Sequence, residues 1–229
     1  MQNINPLSDA KIVDSWLSNA APWIEAIREE QIESRKLVTN QAIIEAIISK
    51  IPKNLLDIGC GEGWLARALF KYGIDVLGID ATPALITQAQ KEGGGDFQVM
   101  SYEEFAQGKL SRTFDAVASN FALLGKESVE DVFRTVPSVL NQGGYFFVQT
   151  IHPLVATDEQ AYEDGWRSGS WAGFSSQFTN PAPWYFRTLE SWIKLFESVD
   201  LRIREMREPK HPKTNKPASV LFIAQISAQ

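Results

Sequence analysis

The segment Leu55-Leu56-Asp57-Ile58-Gly59-Cys60-Gly61-Glu62-Gly63 constrains this chain more than any other. An apolar strand candidate, Leu55 to Ile58, passes through a glycine turn straight into a predicted helix from Gly63 to about Lys71. Glycines at alternate positions let the backbone turn sharply and remove Cβ atoms where another group must approach closely. Strand–helix units of this kind bind ligands at the carboxyl ends of parallel strands, beside the point where strand order reverses.

The same alternation continues downstream. Strands are predicted at Ile74 to Ile79, Phe97 to Met100, Phe114 to Ala118 and Tyr145 to Thr150. Helices are predicted between them at Thr82 to about Lys91, Tyr102 to Gln107 and Ser128 to Leu140. Thr82 reads as an N-cap, with Pro83 at the first helical position, where a missing N–H costs little. Gly93-Gly94-Gly95 stop that helix, and Gly143-Gly144 read as the turn that introduces the fifth strand. Such alternation implies right-handed crossovers and a mostly parallel sheet with helices on both faces. After an aperiodic stretch over 151–187, a helix is predicted at Leu189 to Glu197, then strands near Leu201 to Met206 and Ser219 to Ile226. Upstream, Trp16, Leu17, Ala20, Trp23, Ile24 and Ile27 recur at helical spacing, and Ile43, Ile44, Ile47 and Ile48 form a second stripe closed by Pro52.

The spacing G-x-G-x-G departs from the dinucleotide fingerprint G-x-G-x-x-G, which weighs against a nicotinamide-dependent oxidoreductase. Asp80 ends the second strand 21 positions after Gly59. A carboxylate there suits both hydroxyls of a ribose. The competing reading is an acid that merely precedes the helix at Thr82 and Pro83.

The segment Leu55 to Leu69, with Gly78-Ile79-Asp80-Ala81 after it, resembles the cofactor site of class I S-adenosylmethionine-dependent methyltransferases. It is most similar to the small-molecule branch that includes the ubiquinone-biosynthesis enzymes. Phe114-Asp115-Ala116-Val117 and Gly143-Gly144-Tyr145-Phe146-Phe147 match that branch in kind and order, so the resemblance spans roughly residues 35 to 150. It implies a doubly wound, Rossmann-like, mostly parallel seven-stranded sheet with an antiparallel edge strand. The single domain divides into a helical lid (1–50), a cofactor-binding core (51–150), an aromatic substrate cap (151–187) and the last helix and strands (188–229).

The resemblance also implies site residues. Asp57, Gly59 and Gly61 face the methionine part of S-adenosylmethionine, with Cys60 the small residue of the turn between them. Asp80 holds the ribose and Ala81 lies along the adenosine. Ser101 and Tyr102 flank the adenine, although many relatives carry an acid where Ser101 stands. Asn120 and Phe121 close over the methionine end. Arg35 is a candidate partner for the methionine carboxylate, because a guanidinium fork suits that geometry; a surface arginine is the alternative. Trp16 is a candidate roof of the pocket, and Trp23 a packing residue.

Methyl transfer from a sulfonium needs alignment and exclusion of water, and needs a base only when the acceptor must lose a proton. His152, immediately after the fifth strand, is the candidate base, with substrate hydrogen bonding or a purely structural role as alternatives. Trp166, Trp171, Trp184 and Tyr185 are candidate substrate-binding residues, together with Phe174, Phe178 and Phe186. A self-packed loop or a homodimer surface remains the other reading of these aromatics. Asp158, Glu159, Glu163 and Asp164 offer attraction for a cationic acceptor, or simply a solvated face. His211, among prolines and lysines, is expected to be solvent-exposed.

Composition narrows the alternatives. A net charge of −6 and a sequence pI near 5.1 argue against broad phosphate-backbone binding, hence against a nucleic-acid partner. The lone Cys60 supplies neither a disulfide nor a zinc site, and no metal is expected. No signal-peptide pattern and no long apolar run is seen, so the expectation is a cytoplasmic enzyme with a small-molecule acceptor and no membrane partner. A non-catalytic S-adenosylmethionine-binding protein or scaffold is the alternative function. A macromolecular methyltransferase is disfavoured because Asn120-Phe121-Ala122-Leu123 replaces an Asn-Pro-Pro-aromatic motif.

Overall fold

The computed structural model describes residues 7–157 and 160–226. Two helical segments open it: α1 (Asp9–Arg28), then a π-helical turn (Arg35–Thr39) running into α2 (Asn40–Ile48). The alternating core follows as β1 (Asn54–Ile58), α3 (Trp64–Phe70), β2 (Asp75–Asp80), α4 (Pro83–Glu92), β3 (Asp96–Val99) and α5 (Tyr102–Ala106). It continues through β4 (Phe114–Asn120), α6 (Glu127–Val139) and β5 (Leu140–Thr150). The chain then forms a short α7 (Pro153–Ala156), the small strands β6 (Gly165–Arg167) and β7 (Trp184–Phe186), α8 (Leu189–Glu197), β8 (Leu201–Arg207) and β9 (Val220–Ile226).

The seven-stranded sheet has the order β3-β2-β1-β4-β5-β9-β8. Pairing is parallel from β3 through β5. The antiparallel strand is β9, inserted between β5 and β8 and opposed to both. Strand order reverses between β1 and β4, so ligand-binding loops converge beyond Ile58 and Asn120.

Central strands bury both faces, which is why they read as continuous apolar runs. One face is covered by α2, α3 and α4 through Ile43, Ile47, Leu65, Leu69, Ile86 and Ala89. The other is covered by α5, α6 and α8, where Val129, Val132, Phe133 and Val136 present one buried stripe toward Phe146 and Phe196. Of the helical segments before β1, α2 thus lies within the first of these layers, packed on the sheet.

Gly143-Gly144 do not form a separate turn. They lie inside β5, with Gly143 at φ +76° and a register break opposite Phe114 and Ala116. A glycine pair is as suited to a strand bulge as to a turn, and here tertiary pairing selects the bulge. His211 also departs from expectation: its side chain is only 13% exposed, with Nε2 3.6 Å from Glu33 Oε2. That contact ties the β8–β9 connection to the segment just before the π-helical turn.

Long-range bonds fix α1 across the carboxyl edge of the sheet. At its first turn the Asp9 carboxylate accepts from the backbone N–H groups of Lys126 (2.8 Å) and Ser128 (2.7 Å), capping α6 from a distance. Buried Asn19 donates to Thr179 O at 2.7 Å and accepts from Thr179 N at 2.8 Å, while Ser15 Oγ donates to Asn180 O at 2.6 Å. α1 and the 151–187 segment are thereby joined.

Candidate functional site

The turn after β1 is built by its glycines. Gly59, Gly61 and Gly63 have φ of +74°, +57° and +83°, the left-handed region that side chains with a Cβ avoid. A Cβ on Gly59 would also strike the Ala122 side chain and stand 2.8 Å from the Tyr102 hydroxyl, so the space over this turn is closed to any larger residue. The turn is drawn onto β2: Gly59 N and Cys60 N donate to Ile79 O at 2.8 and 3.0 Å.

Asp80 completes the arrangement. Its Oδ2 accepts from Gly61 N at 3.0 Å and its Oδ1 from Thr82 N at 2.8 Å. The Thr82 side chain also bonds this carboxylate, and of its about four lone-pair sites a part remains for a ligand. Burial raises the pKa of Asp80, against the lowering effect of these two N–H groups. Asp57, at 2% exposure, is pushed up to about 7 by burial first and by the neighbouring Asp80 second. Two acids at the ends of adjacent strands are thus costly to ionise together, and a cationic ligand relieves that cost. Cys60 is buried and its thiol pKa is raised well above the ordinary value by burial, so it stays protonated and its backbone lines the turn.

The loops after β3 and β4 meet over Gly59. The Tyr102 hydroxyl donates to Ala122 O at 3.1 Å, and burial raises its pKa. Ser101 is the N-cap of α5: Oγ accepts from Glu104 N at 3.1 Å while Ser101 N donates to Glu104 Oε2 at 3.1 Å. Its hydroxyl is thereby engaged with the first turn of the helix. Ala81 is half-buried beside Asp80. Asn120 Oδ1 accepts from Gln149 Nε2 at 2.6 Å. Phe121 sits at φ +55°, strained for a non-glycine residue, with its N–H held by Gln149 O at 2.8 Å. Sequence reasoning missed Gln149, although a glutamine ending the run Phe146-Phe147-Val148 was a visible signal. Its amide also donates to Thr39 O at 2.9 Å and so joins the π-helical turn to the switch point.

The aromatic candidates separate into two groups. Trp16, Trp23, Trp171, Phe174 and Phe178 form one cluster, with Trp16 5.0 Å from Trp23 and 5.9 Å from Trp171 between ring centroids. Trp23 Nε1 lies 3.8 Å from where a Gly61 Cβ would stand, so this tryptophan covers the turn as well as packing. Trp166, Trp184 and Tyr185 lie instead on the β6–β7 ribbon, where Trp166 and Tyr185 meet edge to face at 5.6 Å. The cavity beside Trp184 and Tyr185 has a volume of only about 10 Å³. A larger cavity, about 330 Å³, lies between α1, the π-helical turn, the amino end of α3 and the carboxyl half of α4, and none of the aromatics of 151–187 lines it.

His152 is fully buried, and both of its ring nitrogens have partners. Nδ1 accepts from Leu154 N at 3.2 Å, which places the ring proton on Nε2, 2.7 Å from Glu208 Oε1. No nitrogen is free to take a proton from an acceptor in this arrangement, and the structural alternative fits the geometry. Arg35 is held differently. Its guanidinium stacks on Trp64 at 4.8 Å and Trp23 at 5.8 Å, Nε donates to Asn40 at 3.3 Å, and burial lowers its pKa to about 10. Of the acidic candidates, Asp158 and Glu159 lie outside the described residues, Asp164 accepts from Thr188 N at 2.8 Å, and Glu163 is exposed. Among the described residues no group of His, Cys, Asp and Glu has the arrangement of a metal site, and no helix is long and apolar enough to cross a membrane.

Residues 56–148 match the family described as a methyltransferase domain. The human mitochondrial ubiquinone biosynthesis O-methyltransferase is 32% identical over 106 residues, covering 43% of this chain and 28% of that protein. A malonyl-acyl-carrier-protein O-methyltransferase of Enterobacter lignolyticus is 26% identical over 167 residues, covering 71% of this chain and 61% of that one. The chain therefore spans less than two thirds of either relative's length. In fold, it is similar to a 1,6-didemethyltoxoflavin-N1-methyltransferase of Burkholderia thailandensis, solved with 1,6-didemethyltoxoflavin and S-adenosylhomocysteine. That likeness has a TM-score of 0.68 at 14% identity and covers 95% of this chain and 88% of the other.

Proposed function

We propose, for a chain whose residues 56–148 belong to the methyltransferase-domain family, that it transfers a methyl group from S-adenosylmethionine to oxygen or nitrogen of a small-molecule acceptor. The observation that carries this reading is the placement of Gly59, Gly61 and Asp80 at the switch point, with the Asp80 carboxylate oriented by two backbone N–H groups. S-adenosylmethionine supplies a methyl already activated on positively charged sulfur. The residues of the chain therefore bind, orient and exclude water.

Asp80 takes the ribose hydroxyls with its remaining lone pairs. Ala81, Ser101 and Tyr102 form the adenine side, and Gly59, Cys60 and Gly61 present backbone to the methionine side. Asp57 balances the positive charge there, and Arg35 turns toward the carboxylate. Asn120 and Phe121, locked by Gln149, close the methionine end against β4. Trp16, Trp23 and Trp171 roof the site and keep water out. Trp166, Trp184 and Tyr185 stand farther along the cap, on the side where a planar or apolar acceptor would enter. His152 braces the cap through Glu208 rather than carrying a proton. The acidic net charge supports a small acceptor over a nucleic acid, and a cytoplasmic setting suits such an enzyme.

The test is incubation with methyl-labelled S-adenosylmethionine and a panel of phenols, heteroaromatic amines and carboxylic acids, with S-adenosylhomocysteine as readout. Acceptor-dependent product supports the reading. Tight cofactor binding without transfer to any member of the panel or to a small-molecule extract would favour a non-catalytic binding protein instead.

A further inference from the structure

We propose that Gln149 is a positioning residue that holds the Asn120 amide as a hydrogen-bond donor at the point of transfer, and that this selects an ionised oxygen, a carboxylate or phenolate, as methyl acceptor. The proposal rests on the preceding reading and narrows it from oxygen or nitrogen to oxygen.

The orientation follows from the partners. Asn120 and Gln149 pair in register at the carboxyl ends of β4 and β5, so their side chains lie side by side on one face of the sheet. Gln149 is only 1% exposed, and its amide is held on both sides. One neighbour is the Thr39 carbonyl, which can only accept, so Nε2 is the atom that stands 2.9 Å from it. Oε1 then accepts from the Ser219 hydroxyl at 3.2 Å. The same Nε2 lies 2.6 Å from Asn120, where a second amide nitrogen would set donor against donor. Asn120 therefore gives Oδ1 to Gln149, and its Nδ2 points elsewhere. Nδ2 has no partner among the described residues, yet it is not one of the buried unpartnered atoms, so it faces open space. That space lies beyond the carboxyl end of β4, where strand order reverses and ligand-binding loops converge.

A donor at this place discriminates between nucleophiles. In the transfer, one lone pair of the acceptor forms the new bond to the methyl carbon, and the carbon–sulfur pair returns to sulfur, which becomes neutral. An amine nitrogen has one lone pair and uses it in the attack. An oxygen keeps a further pair for Asn120 throughout. The proton count points the same way. A neutral hydroxyl or an ammonium would need a base, and His152 has both ring nitrogens engaged. A carboxylate or phenolate brings no proton to remove, and its charge cancels that of the sulfonium as the bond forms. An N–H donor also binds an oxyanion more strongly than a neutral oxygen.

The test measures kcat and KM for the full chain with S-adenosylmethionine and the panel of phenols, heteroaromatic amines and carboxylic acids. Carboxylates and acidic phenols should turn over, and the amines should not. Asn120→Asp keeps the bond from Gln149 but sets an oxygen where Nδ2 was, and should cut kcat/KM about tenfold or more. Its affinity for S-adenosylhomocysteine, read by calorimetry, should change less than about twofold. Gln149→Met should cost a similar factor alone, but less than about twofold when Asn120→Ala is already present, because Gln149 acts through Asn120. Losses that multiply would make Gln149 purely structural and overturn its positioning role. Transfer to amines alone, or full activity of Asn120→Asp, would overturn the selection of oxygen. Wild-type protein that binds S-adenosylhomocysteine but methylates no panel member would sink the preceding reading, and NMR of the side-chain amides then decides this one. Benzoate added to the S-adenosylhomocysteine complex should shift the Asn120 amide signals, identified by their loss in Asn120→Asp. Unmoved signals would overturn the proposal, and this arm also serves if Gln149→Met does not fold.

Discussion

Replacing Asp57 with Asn should flatten the pH dependence of stability. Asp57 has its pKa raised from 3.8 to about 7, by burial first and by Asp80 second. An acid with a raised folded-state pKa binds its proton more tightly in the folded than in the unfolded chain. Its contribution is fully present below the unfolded pKa and is lost as pH rises through the folded one. The shift is about three pKa units, so at about 1.4 kcal/mol per unit the full loss is on the order of 4 kcal/mol. Part of it falls below pH 5; between pH 5 and pH 8 the wild type should lose roughly 2–3 kcal/mol relative to Asp57→Asn. Asp80, shifted the same way by burial, is present in both proteins and largely cancels. Urea unfolding at pH 5, 6, 7 and 8 and constant ionic strength gives the difference directly. Parallel curves for the two proteins, or a gap of the opposite sign, would refute the argument that burial controls this acid.

Two further perturbations follow from the geometry. Gly59→Ala and Gly73→Ala start from nearly equal φ, +74° and +73°, but a Cβ meets Ala122 and Tyr102 at Gly59 and open space at Gly73. Thermal melts should show about 1–2 kcal/mol lost to backbone strain at both, and roughly 1–3 kcal/mol more at Gly59 from the clash; equal losses would mean that φ alone constrains the turn. For His152→Ala and Glu208→Gln, a double-mutant cycle should give a coupling of about 1–2 kcal/mol in stability. Under the proposed function, turnover of the folded His152→Ala protein should fall only as far as the cap is loosened, with no change in the shape of the pH–rate profile. Loss of a limb near neutrality would restore His152 as the base.

What could be read from the chain depended on how local its cause was. The helices and strands from Leu55 to Thr150 announce themselves because burial on both faces of a parallel sheet writes short apolar runs, and helices write a 3.6-residue stripe. Gly59, Gly61 and Asp80 were legible because a left-handed turn and a strand-end acid are chemical requirements at fixed spacing. Gly143-Gly144 misled, since a bulge and a turn demand the same residue. Order in 151–187 comes from partners far away in the sequence: Asn19 for Thr179, Leu124 O for Tyr185 N, and the Gly125 and Lys126 carbonyls for the Arg187 guanidinium. His152 looked like a free base because its partner Glu208 lies on a later segment, and His211 looked exposed because Glu33 lies near the opposite terminus. No local pattern records either pairing.

The central claim is that Asp80 and the glycine turn hold S-adenosylmethionine. It is tested most directly by calorimetric titration of S-adenosylhomocysteine into wild-type protein and Asp80→Ala. Loss of two hydrogen bonds to a carboxylate should weaken binding by about a hundredfold or more in the variant. No binding to folded wild-type protein, or equal affinity in both, would contradict the account.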